Sequence, residues 1–305
     1  MAEKIELQFL GTSAQIPTAN QNPTSIFLKF KEENILVDCA EGTQRQLRKV
    51  GLNPCKITRI LITHWHGDHV LGLPGLLQTL AASDYNKKMV IYGPKGIKKK
   101  INDLLSLFKF ERNYSLDIQE IIFSKNNSKN IFENEEISIE SFPLEHGIPA
   151  LGYSLVRKGK LRLDKDKIKK AGLEGPILGK LQQGKDVQVE GRKFKAKDMT
   201  YLEEANKISI ILDTSFRKRF FKYVDKSDLL IAESNFSKDL QDKAKEYNHM
   251  TSEQAAEIAK GSNSKKLILT HVSQRYARNK KSILKEAKDI FSNTVLARDF
   301  DSFSI

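Results

Sequence analysis

Four of the six residues in the segment His64-Trp65-His66-Gly67-Asp68-His69 carry side chains that bind divalent metals. Imidazole nitrogen and carboxylate oxygen suit zinc, and a coordination position left open admits water. His64 and His66, one residue apart, can meet one cation if their loop curls. Asp68 and His69 can then reach a second cation beside it. A lone histidine is commonly structural, but this density of ligands on one tight loop is a metal signal.

The remaining histidines extend it. The chain has six, namely His64, His66, His69, His146, His249 and His271. His146 and His271 each fall just beyond a predicted strand end, as does Asp213 in Leu212-Asp213-Thr214. Groups collected at strand ends are held rigidly by the sheet behind them. The simplest assignment puts His64, His66 and His146 on one metal, and Asp68, His69 and His271 on the other. Asp213 would bridge the two; its alternative role is to cap a helix, since Thr214-Ser215 follow it. Two ions roughly 3.5–4 Å apart lower the pKa of a bridging water and stabilise an in-line displacement at phosphorus. The expected nucleophile is therefore a metal-bridging hydroxide, with Asp68 also able to accept the proton. The expected cofactor is two Zn2+ per subunit, with Mn2+ or Fe2+ as alternatives.

The elements that would position these groups are short. Lys4–Leu10, Ser25–Phe30, Asn34–Val37 and Ile57–Ile62 read as strands, the last delivering the chain into His64. Met89–Tyr92, Ile118–Phe123, Asn130–Glu133 and Glu136–Phe142 follow. Lys207–Leu212, Leu229–Ala232 and Lys265–Thr270 then end at Asp213, Glu233 and His271. Helices are expected over Glu41–Val50, Val70–Ala82, Gly96–Phe108, Lys238–Glu246, Ser252–Lys260 and Lys280–Phe291. Strands in runs with helices between them predict an α/β fold of two packed sheets covered by helices.

One stretch departs from this pattern. Arg157–Lys185 carries ten Lys or Arg against three acids, a net +7 within a chain total of +13. It reads as a basic flexible arm, residues 157–189, inserted into one domain spanning 1–305. Leu173, Ile177, Leu178 and Leu181 around Gly175-Pro176 would give it a small structured tip. Such a charge is either a solubility surface or the footprint of an acidic partner such as nucleic acid. No apolar run reaches the roughly 20 residues of a membrane span. Glu3 and Glu6 interrupt any signal-like N-terminus, and two cysteines suggest no disulfide framework. A cytoplasmic protein is expected.

The His-x-His-x-Asp-His loop with its later His, Asp and His resembles the metallo-β-lactamase fold family. That likeness alone leaves lactonases, thioesterases, nucleases and small-molecule phosphodiesterases open. Three further blocks are similar to the ribonuclease Z family of tRNA 3′-processing endonucleases. They are Phe9-Leu10-Gly11-Thr12-Ser13-Ala14 with Pro17-Thr18, then Val37-Asp38-Cys39-Ala40-Glu41-Gly42-Thr43-Gln44-Arg45-Gln46-Leu47, then Thr270-His271-Val272-Ser273-Gln274-Arg275-Tyr276. Ala40 replaces a family glycine, and Leu212 replaces the glycine often found before the bridging Asp.

This resemblance implies an αβ/βα four-layer sandwich and a homodimer. It also implies removal of the 3′ trailer from precursor tRNA, leaving a 3′-hydroxyl on the tRNA and a 5′-phosphate on the trailer. The arm would grip the tRNA elbow through a tip at Gly175, Pro176 and Lys180. Glu233 would orient His249, which would protonate the leaving 3′ oxygen. Arg275 would hold a substrate phosphate with its planar fork. The loops around Glu233 and His249 depart from the family's usual letters.

Overall fold

A computed structural model describes residues 3–83, 85–109 and 111–305. The chain divides into two compact units. The first comprises residues 1–132, 139–155 and 207–305, and the second 133–138 and 156–206.

Two seven-stranded mixed sheets dominate the structure. In the first, Glu33–Val37, Arg59–Leu61, Met89–Pro94 and Leu116–Ile121 run parallel. Glu6–Gly11, Ser25–Phe30 and Ser302–Ser304 extend it by antiparallel pairing. Parallel neighbours need crossover connections, and helices Thr43–Lys49, Leu73–Ala82 and Ile97–Ser106 lie within them. Leu47, Leu73, Leu76, Leu77, Leu80, Ile97 and Ile101 from these helices pack on Leu36, Ile60 and Ile91. Ile35, Val37 and Leu61, which alternate with those strand residues, are buried as well. Both faces of the sheet are therefore covered there, which explains why Ile35–Val37 and Ile60–Leu61 are apolar without alternation.

The second sheet has the order Thr294–Leu296, Leu267–Thr270, Leu229–Glu233, Asn206–Ile211, Pro149–Arg157, Ile137–Glu145, Lys129–Glu133. Its first four strands are parallel. Ala255, Ala256 and Ala259 of helix Ser252–Gly261, with Ile283 and Ala287 of helix Lys280–Ile290, pack on Ile211, Leu230, Ala232, Leu267 and Leu269. Two hydrogen bonds tie this sheet to the metal-loop side. The Tyr153 hydroxyl donates to the Ile62 carbonyl (2.7 Å), and the Leu151 amide donates to the Thr63 carbonyl (2.8 Å).

The structure differs from the sequence expectation at several places in this unit. The helix expected over Val70–Ala82 is two helices, Gly67–Val70 and Leu73–Ala82. They break at Gly72, where a Cβ would come within 1.9 Å of the Ala40 carbonyl oxygen. Strand Pro149–Arg157 is absent from the expected elements, because Gly152 interrupts its apolar run and lysines follow it. The glycine is needed where it stands, since a Cβ there would lie 2.1 Å from the Phe142 ring. The C-terminal strands Thr294–Leu296 and Ser302–Ser304 are too short to carry a periodic signal.

The second unit is a folded element that extends past the expected boundary at residue 189 to Asn206. Strands Lys160–Leu163 and Thr200–Glu203 pair antiparallel at its base, and Val187–Val189 pairs with Arg192–Phe194. Helices Lys165–Lys170 and Ile177–Gln182 lie in the chain between strands Lys160–Leu163 and Val187–Val189, the first capped by the Asp164 side chain accepting from the Lys167 amide. Ile168, Leu173, Leu181, Val187 and Ala196 form a small buried core. The basic residues divide into two sets. Arg157 and Arg162 pair with Glu203, Lys158 with Glu133, and Lys160 with Glu136. Lys165, Lys169, Lys170, Lys180 and Lys185 are exposed, as are Gly175 and Pro176. Among the described residues, no helix is long and apolar enough to cross a membrane.

Candidate metal centre

The candidate ligands converge from both sheets. His64 follows strand Arg59–Leu61 after a two-residue step, and His66 caps the short helix Gly67–Val70 that carries Asp68 and His69. His146 follows strand Ile137–Glu145, Asp213 lies two residues beyond Asn206–Ile211, and His271 directly follows Leu267–Thr270. His271 holds the left-handed conformation at φ 52°, a backbone strain that points its ring inward instead of continuing the strand.

Two groups result. The donor atoms of His64, His66 and His146 lie within 4.8 Å of one another, as do those of Asp68, His69 and His271. Asp213 faces both groups. Its Oδ2 is 3.5 Å from His146 Nε2 and 3.7 Å from His64 Nε2, while its Oδ1 is 3.5 Å from His69 Nε2 and 3.3 Å from His271 Nδ1. All seven residues singled out as ligands in the sequence are thus brought together.

The chemistry of this set calls for cations. His64 Nε2 and His146 Nε2 each approach His66 Nδ1 at 3.1 Å, and His69 Nε2 meets His271 Nε2 at 3.3 Å. Asp213 Oδ1 and His271 Nδ1 are buried without a hydrogen-bond partner, and such orphans are costly unless something else satisfies them. Burial, followed by neighbouring His69, drives the His64 imidazole well below its usual range; His66 is exposed at the surface, and partial burial with His146 lowers its imidazole. Both are therefore held in the neutral, ligating form. Burial opposes charge on His69 too, yet the Asp213 and Asp38 carboxylates outweigh it and raise that imidazole well above its usual value. Burial likewise works against ionised Asp68 and Asp213, but the surrounding imidazoles keep both carboxylates charged. Divalent metal fits this donor set.

In the sequence Asp38 stands only as one letter of a matched block, and the structure gives it a place. It ends strand Glu33–Val37 with φ 57°, and its Oδ2 is 2.6 Å from His69 Nδ1. Its two oxygens also accept from the Thr63 amide and hydroxyl, both at 2.8 Å. This carboxylate–imidazole contact fixes which His69 nitrogen faces the centre. His146 is oriented likewise, donating from Nδ1 to the Asn248 carbonyl (2.9 Å). The signal for Asp38 was available, since a buried Asp closing an apolar strand needs a partner.

Glu233 and His249 lie beside the centre. His249 Nδ1 is 3.0 Å from both Glu233 oxygens and 4.0 Å from Asp213 Oδ2, and Glu233 Oε1 also accepts from the Thr214 amide at 2.7 Å. Burial lowers the His249 imidazolium, but Glu233 more than offsets this and the group is pushed up to about 9. Thr251, two residues on, starts helix Ser252–Gly261 with a capping box to Gln254 that fixes this loop. Arg275 is exposed on the turn Gln274–Tyr276, with its guanidinium carbon 5.5 Å from the Phe236 ring centroid. Gly175, Pro176 and Lys180 belong to the second unit and are not part of this cluster.

The chain aligns with a solved structure titled human tRNase Z, short form, with a TM-score of 0.72 at 30% identity, covering 98% of this chain and 99% of the other. It aligns with a metallo-β-lactamase-fold protein from Bacillus subtilis at a TM-score of 0.70 and 18% identity, covering both chains fully. Fold and site together define a metallo-β-lactamase-fold hydrolase. A ribonuclease Z from Listeria welshimeri is 40% identical over 311 aligned positions, spanning 99% of each chain. The chain belongs to the ribonuclease Z family and is an endoribonuclease. A family model described as Anti-Pycsar protein Apyc1 also matches residues 5–177, so over that stretch the chain belongs with that family too. That match ends before Asp213, Glu233, His249 and His271, whereas the ribonuclease Z relative covers them all.

Proposed function

We propose that the protein is a zinc-dependent endoribonuclease that removes the 3′ trailer from precursor tRNA, leaving a 3′-hydroxyl on the tRNA and a 5′-phosphate on the trailer. The observation that carries this reading is Asp213, which turns one carboxylate oxygen toward each histidine-rich group beside the Glu233–His249 pair. His64, His66 and His146 would hold one ion and Asp68, His69 and His271 the other, with Asp213 shared. When bound, two divalent cations supply Lewis acidity and a water of lowered pKa, the chemistry of phosphodiester hydrolysis.

The chain's own residues do the rest. Asp38 and the Asn248 carbonyl hold His69 and His146 so that their Nε2 atoms face the centre. Glu233 occupies His249 Nδ1, leaving Nε2 to carry a proton to the departing 3′ oxygen. Arg275 receives a substrate phosphate. The lysine-bearing second unit, with its Gly175-Pro176 turn and Lys180, binds the body of the tRNA through phosphate contacts. The protein acts as a homodimer in the cytoplasm. The test is incubation with a 3′-extended tRNA transcript and mapping of the product ends. A 3′-hydroxyl just after the discriminator nucleotide is expected; hydrolysis of bis(p-nitrophenyl) phosphate with the transcript left intact would contradict the reading.

A further inference from the structure

An aromatic pair with one exposed member, Tyr247, and one buried member, Phe236, stands beside His249. Tyr247 follows helix Gln241–Glu246, and although large and aromatic it is 55% exposed. Among the described residues its hydroxyl has no hydrogen-bond partner, so no polar contact of the fold calls for a tyrosine. Its ring lies nearly parallel to that of Phe236, at 15° with centroids 6.4 Å apart. Phe236 is only 6% exposed and is fixed by its backbone, which bridges to Thr251 and accepts from the Ser252 amide. Its ring centroid is 6.1 Å from that of His249, and Arg275 stands over the same ring. The next turn is pinned by the Tyr276 hydroxyl, which accepts from the Ser237 amide at 2.9 Å.

A nucleotide presents a phosphate and a flat base a few ångströms apart. Here the Arg275 guanidinium and the His249 imidazole both lie beside the Phe236 ring, and the exposed Tyr247 ring stacks on that same ring. Aromatic rings stack on any base, because every base has a π-face. We infer that Tyr247, backed by Phe236, is the stacking platform for the base of the nucleotide on the 5′ side of the scissile phosphate. That side follows from His249: the oxygen it protonates belongs to the 5′ nucleotide, so that nucleotide's base lies nearest the ring beside it. The inference rests on the proposed tRNA cleavage. It makes Tyr247 a grip on the last retained nucleotide that is indifferent to base identity.

The experiment uses the full-length, metal-loaded protein and two 3′-extended tRNA transcripts, one intact and one abasic at the nucleotide 5′ to the cut. Tyr247→Ala is expected to raise KM on the intact transcript about tenfold, within the usual range for one lost base stack, with a smaller change in kcat. Tyr247→Phe should restore the wild-type KM. On the abasic transcript the wild-type protein should already show the raised KM, and Tyr247→Ala should add nothing further. An equal loss on both transcripts, or a failure of phenylalanine to restore KM, overturns the platform while leaving the nuclease reading intact. A wild-type protein that cuts neither transcript overturns that reading and this inference together.

Discussion

At the metal centre, five imidazoles and two carboxylates stand within a few ångströms of one another, most of them sealed from water. In the second unit, Lys165, Lys169, Lys170, Lys180 and Lys185 stand in solvent over a core of five buried side chains. Interactions between charges in the first setting are strong and specific to position, because little water screens them. In the second they are screened within about 8–10 Å at ordinary salt, and each contributes modestly. Under the proposed function the difference divides the labour. A site that moves protons and displaces a phosphate ester needs fixed geometry, and a surface that holds a polyanion needs number and reach.

Substitutions should separate the two regions by the kind of loss they cause. The largest effect is expected from Asp68→Ala, which should bring cleavage of precursor tRNA to background while tRNA binding by gel shift persists. Retained cleavage would remove Asp68 from the chemistry. His249→Ala should lower kcat by about 10²–10⁴-fold, the range for a positioned general acid, and leave bound metal unchanged. Loss of metal in that variant would instead make His249 a ligand. Asp38→Asn should cost roughly 10–100-fold in metal affinity or turnover, as for other groups that orient a ligand imidazole.

The smallest effect on the chemical step is expected from replacing Lys165, Lys169 and Lys180 together with alanine. KM for precursor tRNA should rise, kcat should hold, and the slope of log affinity against log salt should become shallower by up to about one per lost phosphate contact. Bis(p-nitrophenyl) phosphate, which has no tRNA body to grip, is the comparison substrate. A fall in kcat equal to that of His249→Ala would break the division between the regions.

The same contrast explains what the sequence made legible. Candidate ligands at strand ends could be read because short apolar runs such as Leu267–Leu269 stop abruptly just before a histidine. The partners that orient those ligands were harder to see. Asp38 contacts His69 across 31 positions, and His146 is fixed by a backbone carbonyl, which no side-chain letter reveals. Tyr247 gains meaning only from Phe236, brought beside it by the loop that precedes helix Ser252–Gly261. In the second unit, the net charge was countable but its partition was not. Arg157 and Arg162 are spent on Glu203, which lies well beyond the lysine-rich stretch in sequence and is brought back by the pairing of Thr200–Glu203 with Lys160–Leu163. Of the apolar residues that fold this unit, Leu173 and Leu181 were legible around Gly175-Pro176, whereas Ile168, Val187 and Ala196 lie scattered between short elements with no helical or strand period to expose them.

Central to everything above is that the buried constellation acts as a two-ion centre on which tRNA cleavage depends. The direct measurement is stepwise return of zinc to chelator-treated protein, with cleavage of a 3′-extended tRNA transcript followed at each step. No cleavage before addition and a plateau at two ions per chain are predicted. Cleavage by the metal-free protein, or a plateau at one ion, would contradict it.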